Sequence, residues 1–183
     1  HDFAGKSFRK FLDGTLDGAE GVVPDMGDWT DHMTTVFPEV RLKQYLEMRG
    51  ADGGPWGRIC ALPALWVGLL YDPDSQTAAW DLCKDWTLDE HEYLRAEVPR
   101  RGLKTPFRGR TVQDLAKEVL AIAEKGLTAR NKVSPKSGII ETHYLKPLHE
   151  IAESGITPAE RLLERFQKDW NGYVAPVWDA EAY

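Results

Sequence analysis

This 183-residue chain has little of several things. It has two cysteines, Cys60 and Cys83, which form no CxxC unit and no disulfide framework. That composition suits a reducing compartment, and a cytoplasmic location is expected. Its longest apolar run, Ile59 to Tyr71, carries Pro63 and Gly68 and falls well short of the about 20 residues a membrane-spanning helix needs. Excess positive charge is absent as well. The net charge of −6 speaks against a general nucleic-acid binder. The five histidines show no zinc-ligand spacing, and no signal-peptide pattern opens the chain. Neither an internal repeat nor a dividing linker is visible, so residues 1–183 are expected to form a single domain.

What is present centres on Val40 to Arg49. Val40, Leu42, Leu46 and Met48 alternate with Arg41, Lys43, Tyr45, Glu47 and Arg49, and Gln44 is the one polar residue in the apolar register. Successive strand side chains point to opposite faces, so the spacing predicts one strand with a polar face of three cations, one carboxylate and one phenol. A solvated sheet face has the same look. Two features favour chemistry instead. A single carboxylate among long cations suits an anion partnered by a metal. Gly53-Gly54-Pro55 then opens an apolar helix, and helix N-termini attract anions. Arginine forks match phosphate oxygens, and a glutamate holds Mg²⁺ against nucleotide phosphates, so phosphoryl transfer is the expected chemistry.

The rest reads as helical. Expected helices run from Ser7 to Leu12, Asp28 to Val36, Pro55 onward with a kink at Pro63, Ser75 to Trp86, Thr87 to Val98, Thr111 to Ala129, Ile139 to Ser154 and Thr157 to Trp170. Thr87 with Glu90, and Thr157 with Glu160, have capping-box spacing. Val112, Leu115, Val119 and Ile122 form an inward stripe. Arg95 to Arg110 holds Arg95, Arg100, Arg101, Lys104, Arg108 and Arg110 among prolines and glycines. It is expected to be a basic loop balanced by acidic helices, with closure over nucleotide phosphates as the alternative. Cys60 is expected to pack, and the tail with Trp178 and Tyr183 to dock on the body. The fold class is α+β: a mostly helical chain contributing one or two strands to an antiparallel sheet.

The stretches FPEVRLKQYLEMRGADGGPW and RICALPALWVGLLYD resemble the C-terminal half of glutamate–cysteine ligases of the plant and alphaproteobacterial type. The likeness continues through GLKTPFR at Gly102 and GITPAE at Gly155. The Leu46-Glu47-Met48-Arg49 segment is also similar to a strand of glutamine synthetases, a related carboxylate–amine ligase fold. The resemblance implies an ATP- and Mg²⁺-dependent ligase that joins the γ-carboxylate of L-glutamate to the amine of L-cysteine. It implies a metal role for Glu47, catalytic roles for Arg49 and Arg41, and substrate contacts for Tyr45 and Trp56. It also implies a larger catalytic domain, whose missing N-terminal half supplies further carboxylates. The alternatives are an inactive binding fragment, or a related ligase with another amine acceptor.

Overall fold

The computed structural model describes residues 3–35 and 37–182. The chain gathers into two compact units, His1–Ala51 and Asp52–Tyr183. Among the described residues the structure is α+β, with two small antiparallel sheets of two strands each among many helices.

The first unit carries α1 (Phe8–Leu12), α2 (Met26–Thr34), β1 (Val40–Leu42) and β2 (Leu46–Met48). Helix α2 starts earlier than the spacing suggests. Asp25 is its N-cap, taking Gly27 and Asp28 N–H groups, while Asp28 is the reciprocal acid of a capping box rather than the cap. The last residue expected in that helix, Val36, lies outside the described residues. Phe8 stacks on His32 with centroids 3.9 Å apart, and Phe8 also tilts against Trp29. This aromatic contact joins α1 to α2.

The single strand expected over Val40 to Arg49 is instead a hairpin. It reverses at Lys43–Tyr45, where the Lys43 N–H donates to the Tyr45 carbonyl. The register pairs Val40 with Met48, Arg41 with Glu47 and Leu42 with Leu46, and the Arg49 N–H extends the ladder to the Glu39 carbonyl. Gln44, the polar break in the apolar register, is the middle residue of the turn. The apolar side is not covered as a core face within this chain: Leu42 is 80% exposed and Leu46 64%.

The second unit opens with α3 (Trp56–Leu70), which runs through Pro63, followed by α4 (Pro73–Cys83), capped by Asp72 on the Ser75 N–H. Then come α5 (Leu88–Arg101), β3 (Pro106–Phe107), β4 (Arg110–Thr111), α6 (Val112–Arg130), α7 (Lys146–Ser154), α8 (Pro158–Lys168) and α9 (Pro176–Ala180). Capping boxes close the N-termini of α5, α6 and α8. The core lies where α3 crosses α6: Leu69, Leu120, Ala123, Leu127, Leu145 and Ala152 are buried together, with Leu65, Trp66, Val119 and Ile122 packed around them. Trp178 does not dock; it is exposed, and the tail is tied instead by Glu181 at 3.8 Å from Arg58. Tyr183 lies outside the described residues.

The basic segment is a loop only from its middle onward. Arg95, Arg100 and Arg101 belong to α5, which continues through Pro99 because a proline in the last turn removes a single donor. Beyond it, a 3₁₀ turn at Gly102–Lys104 leads into the β3–β4 hairpin. Arg108 and Gly109 have φ of 46° and 75°, as a type I′ turn requires at both central positions. An arginine is strained there, and its side chain is held from three directions. Arg108 Nε donates to Glu90 Oε1 at 2.6 Å, and Nη2 donates to Glu90 Oε2 at 2.7 Å and to the Asp85 carbonyl at 2.6 Å. Lys104 Nζ reaches Glu160 Oε1 at 2.8 Å, Arg110 pairs with Glu118, and Arg101 Nε meets Glu97 at 2.8 Å. Arg100, Arg101, Lys104, Arg108 and Arg110 are therefore balanced by helix acids, as the preferred reading of the segment holds.

The capping-box acids of α5 and α8 each hold one cation of this segment. Glu90 is pulled down to about 2, first by Arg108 and then by the Thr87 N–H. Glu160 is pulled down to about 2, first by Lys104 and then by the Thr157 N–H. Both carboxyls are depressed on folding from an ordinary 4.5. Their stabilisation is therefore present above about pH 4.5 and is lost as pH falls towards about 2. Thermal midpoints should drop across that window, and Glu90→Gln should flatten the dependence. An equal slope in parent and variant by calorimetry would remove Glu90 from the account.

Candidate phosphate and metal site on the β1–β2 hairpin

The hairpin brings together residues that a straight strand would keep apart. On one extended strand, Arg41 and Glu47 would lie about 20 Å from each other. In the structure they face one another across β1 and β2. Glu47 on β2 and Arg49 just after it are two residues apart, so they share a face where the ladder extends to Arg49. Lys43 at the turn reaches back, its Nζ 3.4 Å from Glu47 Oε1. Its ammonium also sits over the Tyr45 ring at 5.8 Å.

Two atoms of this face are unusual. Glu47 Oε2 and Arg49 Nη1 are both buried, and neither has a hydrogen-bond partner. The nearest approach between the two side chains, Arg49 Nε to Glu47 Oε2, is 3.9 Å, an ion pair without a hydrogen bond. Native structures seldom leave such groups unmet, because an unmet buried polar group carries its full desolvation penalty. An acceptor and a donor left open side by side suit a ligand with both cationic and anionic character, such as a metal-bound phosphate.

Phe37 is a member of the site that the sequence reading left without a role. Its ring lies 5.6 Å from the Arg49 guanidinium carbon. An aromatic twelve residues upstream of an arginine carries no periodic signal, and only the hairpin's return brings it near.

The remaining expected residues fall as follows. Tyr45 is 61% exposed at the end of the turn. Trp56 is the first residue of α3 in the second unit and is 75% exposed. There it lines a cleft of about 260 Å³ with Cys60, His143, Tyr144 and Lys146. Cys60 is half-buried and unpaired, as is Cys83.

Among the described residues, no group of three or more His, Cys, Asp or Glu side chains converges as a metal cage. Glu47 supplies one hard oxygen donor with an open lone-pair site. Mg²⁺ at nucleotide sites commonly takes only one or two protein carboxylates and completes its shell with phosphates and water. The residues present therefore fit a share of such a site.

The glutamate–cysteine ligase family 2 model matches residues 4–180. The chain is 50% identical over its whole length to chloroplastic glutamate–cysteine ligase A of Oryza sativa subsp. indica, covering 36% of that protein. It is 50% identical to the chloroplastic enzyme of Arabidopsis thaliana and 49% to that of Nicotiana tabacum, covering 34% of each. The chain thus spans about a third of the length of these curated relatives. Their names overturn the cytoplasmic expectation, since these relatives are chloroplastic. A chain with few cysteines suits any reducing compartment, so that feature never singled out the cytoplasm. On the match over residues 4–180, the chain belongs to the glutamate–cysteine ligase family 2.

Proposed function

We propose that the chain is part of an ATP-dependent ligase that joins the γ-carboxylate of L-glutamate to the amine of L-cysteine, the first step of glutathione biosynthesis. Residues 1–183 are read as the C-terminal part of a larger catalytic domain, completed by an N-terminal part of the same enzyme. The observation that carries this, beside the family match, is the open pair Glu47 Oε2 and Arg49 Nη1 on one hairpin face.

In this reading a glutamate carboxylate oxygen attacks the γ-phosphorus of ATP, an O–P bond forms and ADP leaves. The cysteine amine then attacks the resulting γ-glutamyl phosphate, losing a proton and expelling phosphate. Arg49 Nη1 donates to oxygens of the transferring phosphoryl group, where negative charge is concentrated. Arg41, opposite Glu47, neutralises a second anionic group. Glu47 Oε2 would hold Mg²⁺, which when bound neutralises and orients nucleotide phosphates. Lys43 contacts Glu47 through Oε1, at 3.4 Å, and leaves Oε2 without a hydrogen bond. Tyr45 and Trp56 contact substrate.

The test is Arg49→Ala in the full-length enzyme, following ADP release with saturating glutamate and cysteine. Turnover should fall by at least about a hundredfold, the usual loss when one donor to a developing charge is removed. Unchanged turnover would sink the assignment. The lack of any converging group of three or more metal-ligating side chains among the described residues favours a companion expectation for the isolated chain: it is an incomplete half-site, and alone forms no γ-glutamylcysteine. Product from the 183-residue chain by itself would overturn that.

A further inference from the structure

We propose that Phe37 is a positioning residue that presents Arg49 to the phosphoryl group. The inference rests on the reading of Arg49 given above and adds the residue that sets its orientation.

Three observations converge. The Phe37 ring lies 5.6 Å from the Arg49 guanidinium carbon, within the range of a cation–π contact. Arg49 Nη1 is buried yet has no partner, so the guanidinium has given up water at that nitrogen without gaining an acceptor. The backbone next to this contact is pinned, since the Arg49 N–H donates to the Glu39 carbonyl at 2.9 Å, two residues from Phe37.

A guanidinium offers five donors in one plane. Its stem has several free torsions, so the plane must be fixed before the donors are of use in catalysis. An aromatic face fixes the plane without consuming a donor, because the ring meets the π surface and leaves the N–H edges free. A carboxylate in the same place would occupy those edges. Glu47, the nearest acid, approaches only Nε, and at 3.9 Å. The contact therefore restrains Arg49 without taking a donor, and Nη1, buried and without a hydrogen-bond partner, is left for an anion. Phe37 itself is 72% exposed, so its ring adds little to packing within this chain, and its replacement leaves the fold in place.

The experiment compares Phe37→Leu, Phe37→Trp, Arg49→Ala and the Phe37→Leu/Arg49→Ala pair in the full-length enzyme. Steady-state kinetics and unfolding midpoints are read for each. Phe37→Leu should lower kcat roughly tenfold, the scale of a partly desolvated cation–π contact, with KM for ATP within about twofold. Its unfolding midpoint should match the parent. Phe37→Trp, which keeps a π face, should recover most of the loss. In the Arg49→Ala background, Phe37→Leu should have no further effect. Parental kcat in Phe37→Leu, no advantage of tryptophan over leucine, or additive losses in the pair would each overturn the proposal. Parental turnover in Arg49→Ala would instead overturn the site reading on which it rests.

Discussion

Gly126→Ala is expected to destabilise the second unit by more than about 3 kcal/mol, a large part of the 5–15 kcal/mol that holds a typical domain. The cause is a crossing of backbone on backbone. A Cβ at Gly126 would collide with the Gly68 carbonyl oxygen, with the Gly68 carbonyl carbon at 2.9 Å and with Ser75 Oγ at 2.9 Å. From the other helix, a Cβ at Gly68 would run into the Ala123 carbonyl, whose carbon would lie 2.8 Å away. Ser75 Oγ could rotate aside, but the Gly68 and Ala123 atoms are backbone, so α3 and α6 would have to separate. Separation opens the core at Leu69, Leu120 and Leu127, which are packed at that crossing. Overpacking that side chains absorb costs about 1–3 kcal/mol, and a collision that only backbone movement relieves lies at or above the top of that range. Gly57→Ala gives the contrast. Its Cβ would meet only Pro147 Cγ at 3.5 Å, an ordinary contact, in the first turn of α3. It should be neutral or gain up to about 1 kcal/mol from helix propensity. Urea denaturation of both variants decides the matter, and equal midpoints for Gly126→Ala and parent would mean that the helices are not held this close.

That crossing was not legible in the sequence. Gly68 and Gly126 are single glycines, one inside an apolar helix and one inside an amphipathic helix, and nothing local distinguishes a contact glycine from a neutral one. Local signals were reliable where the physics is local. Thr87 with Glu90 and Thr157 with Glu160 form the capping boxes their spacing foretells, and Leu115 on the α6 stripe is buried. The second role of those acids, holding Arg108 and Lys104, joins positions 18 and 56 residues apart and has no local trace.

The hairpin went unread for a different reason. Side chains alternate with period two along a strand, and an odd-numbered connection returns the chain with the same parity. Arg41 and Glu47 therefore share a face whether the segment runs straight or doubles back at Lys43–Tyr45. The pattern was right about the face and silent about the fold. Gln44 was the available clue, since a polar residue in an apolar register marks the place where the register ceases to matter. The turn has no Asn-Gly or Gly-Gly pair to announce it. Phe37 became part of the candidate site for the same reason: only the doubling back sets an aromatic before β1 beside an arginine after β2.

Glu47→Gln carries the second large expectation, a loss of two to three orders of magnitude in kcat of the full-length enzyme, the scale on which charge-stabilising groups act. The substitution keeps shape and removes charge. Glu47 Oε2 is buried and accepts no hydrogen bond, and its ion pair with Arg49 Nε is long at 3.9 Å, so its negative charge is only partly compensated until a further cation arrives. Lys43 meets the other oxygen at only 3.4 Å, a weak contact. If Mg²⁺ is that cation, the amide loses most of the attraction, and half-activation should need far more Mg²⁺. Glu47→Asp keeps the charge on a shorter stem and should fall between the two. The fold should hold in both, because the pairs lost, with Lys43 and Arg49, are partly exposed contacts worth about 0–1 kcal/mol each. Turnover titrated against Mg²⁺ separates the explanations. A glutamine variant restored by high Mg²⁺ has lost affinity for the ion. One that stays slow at saturation has lost charge placement in the transition state. One that matches the parent at every Mg²⁺ concentration would show that the open carboxylate oxygen faces no metal, and the role given to Glu47 would fall.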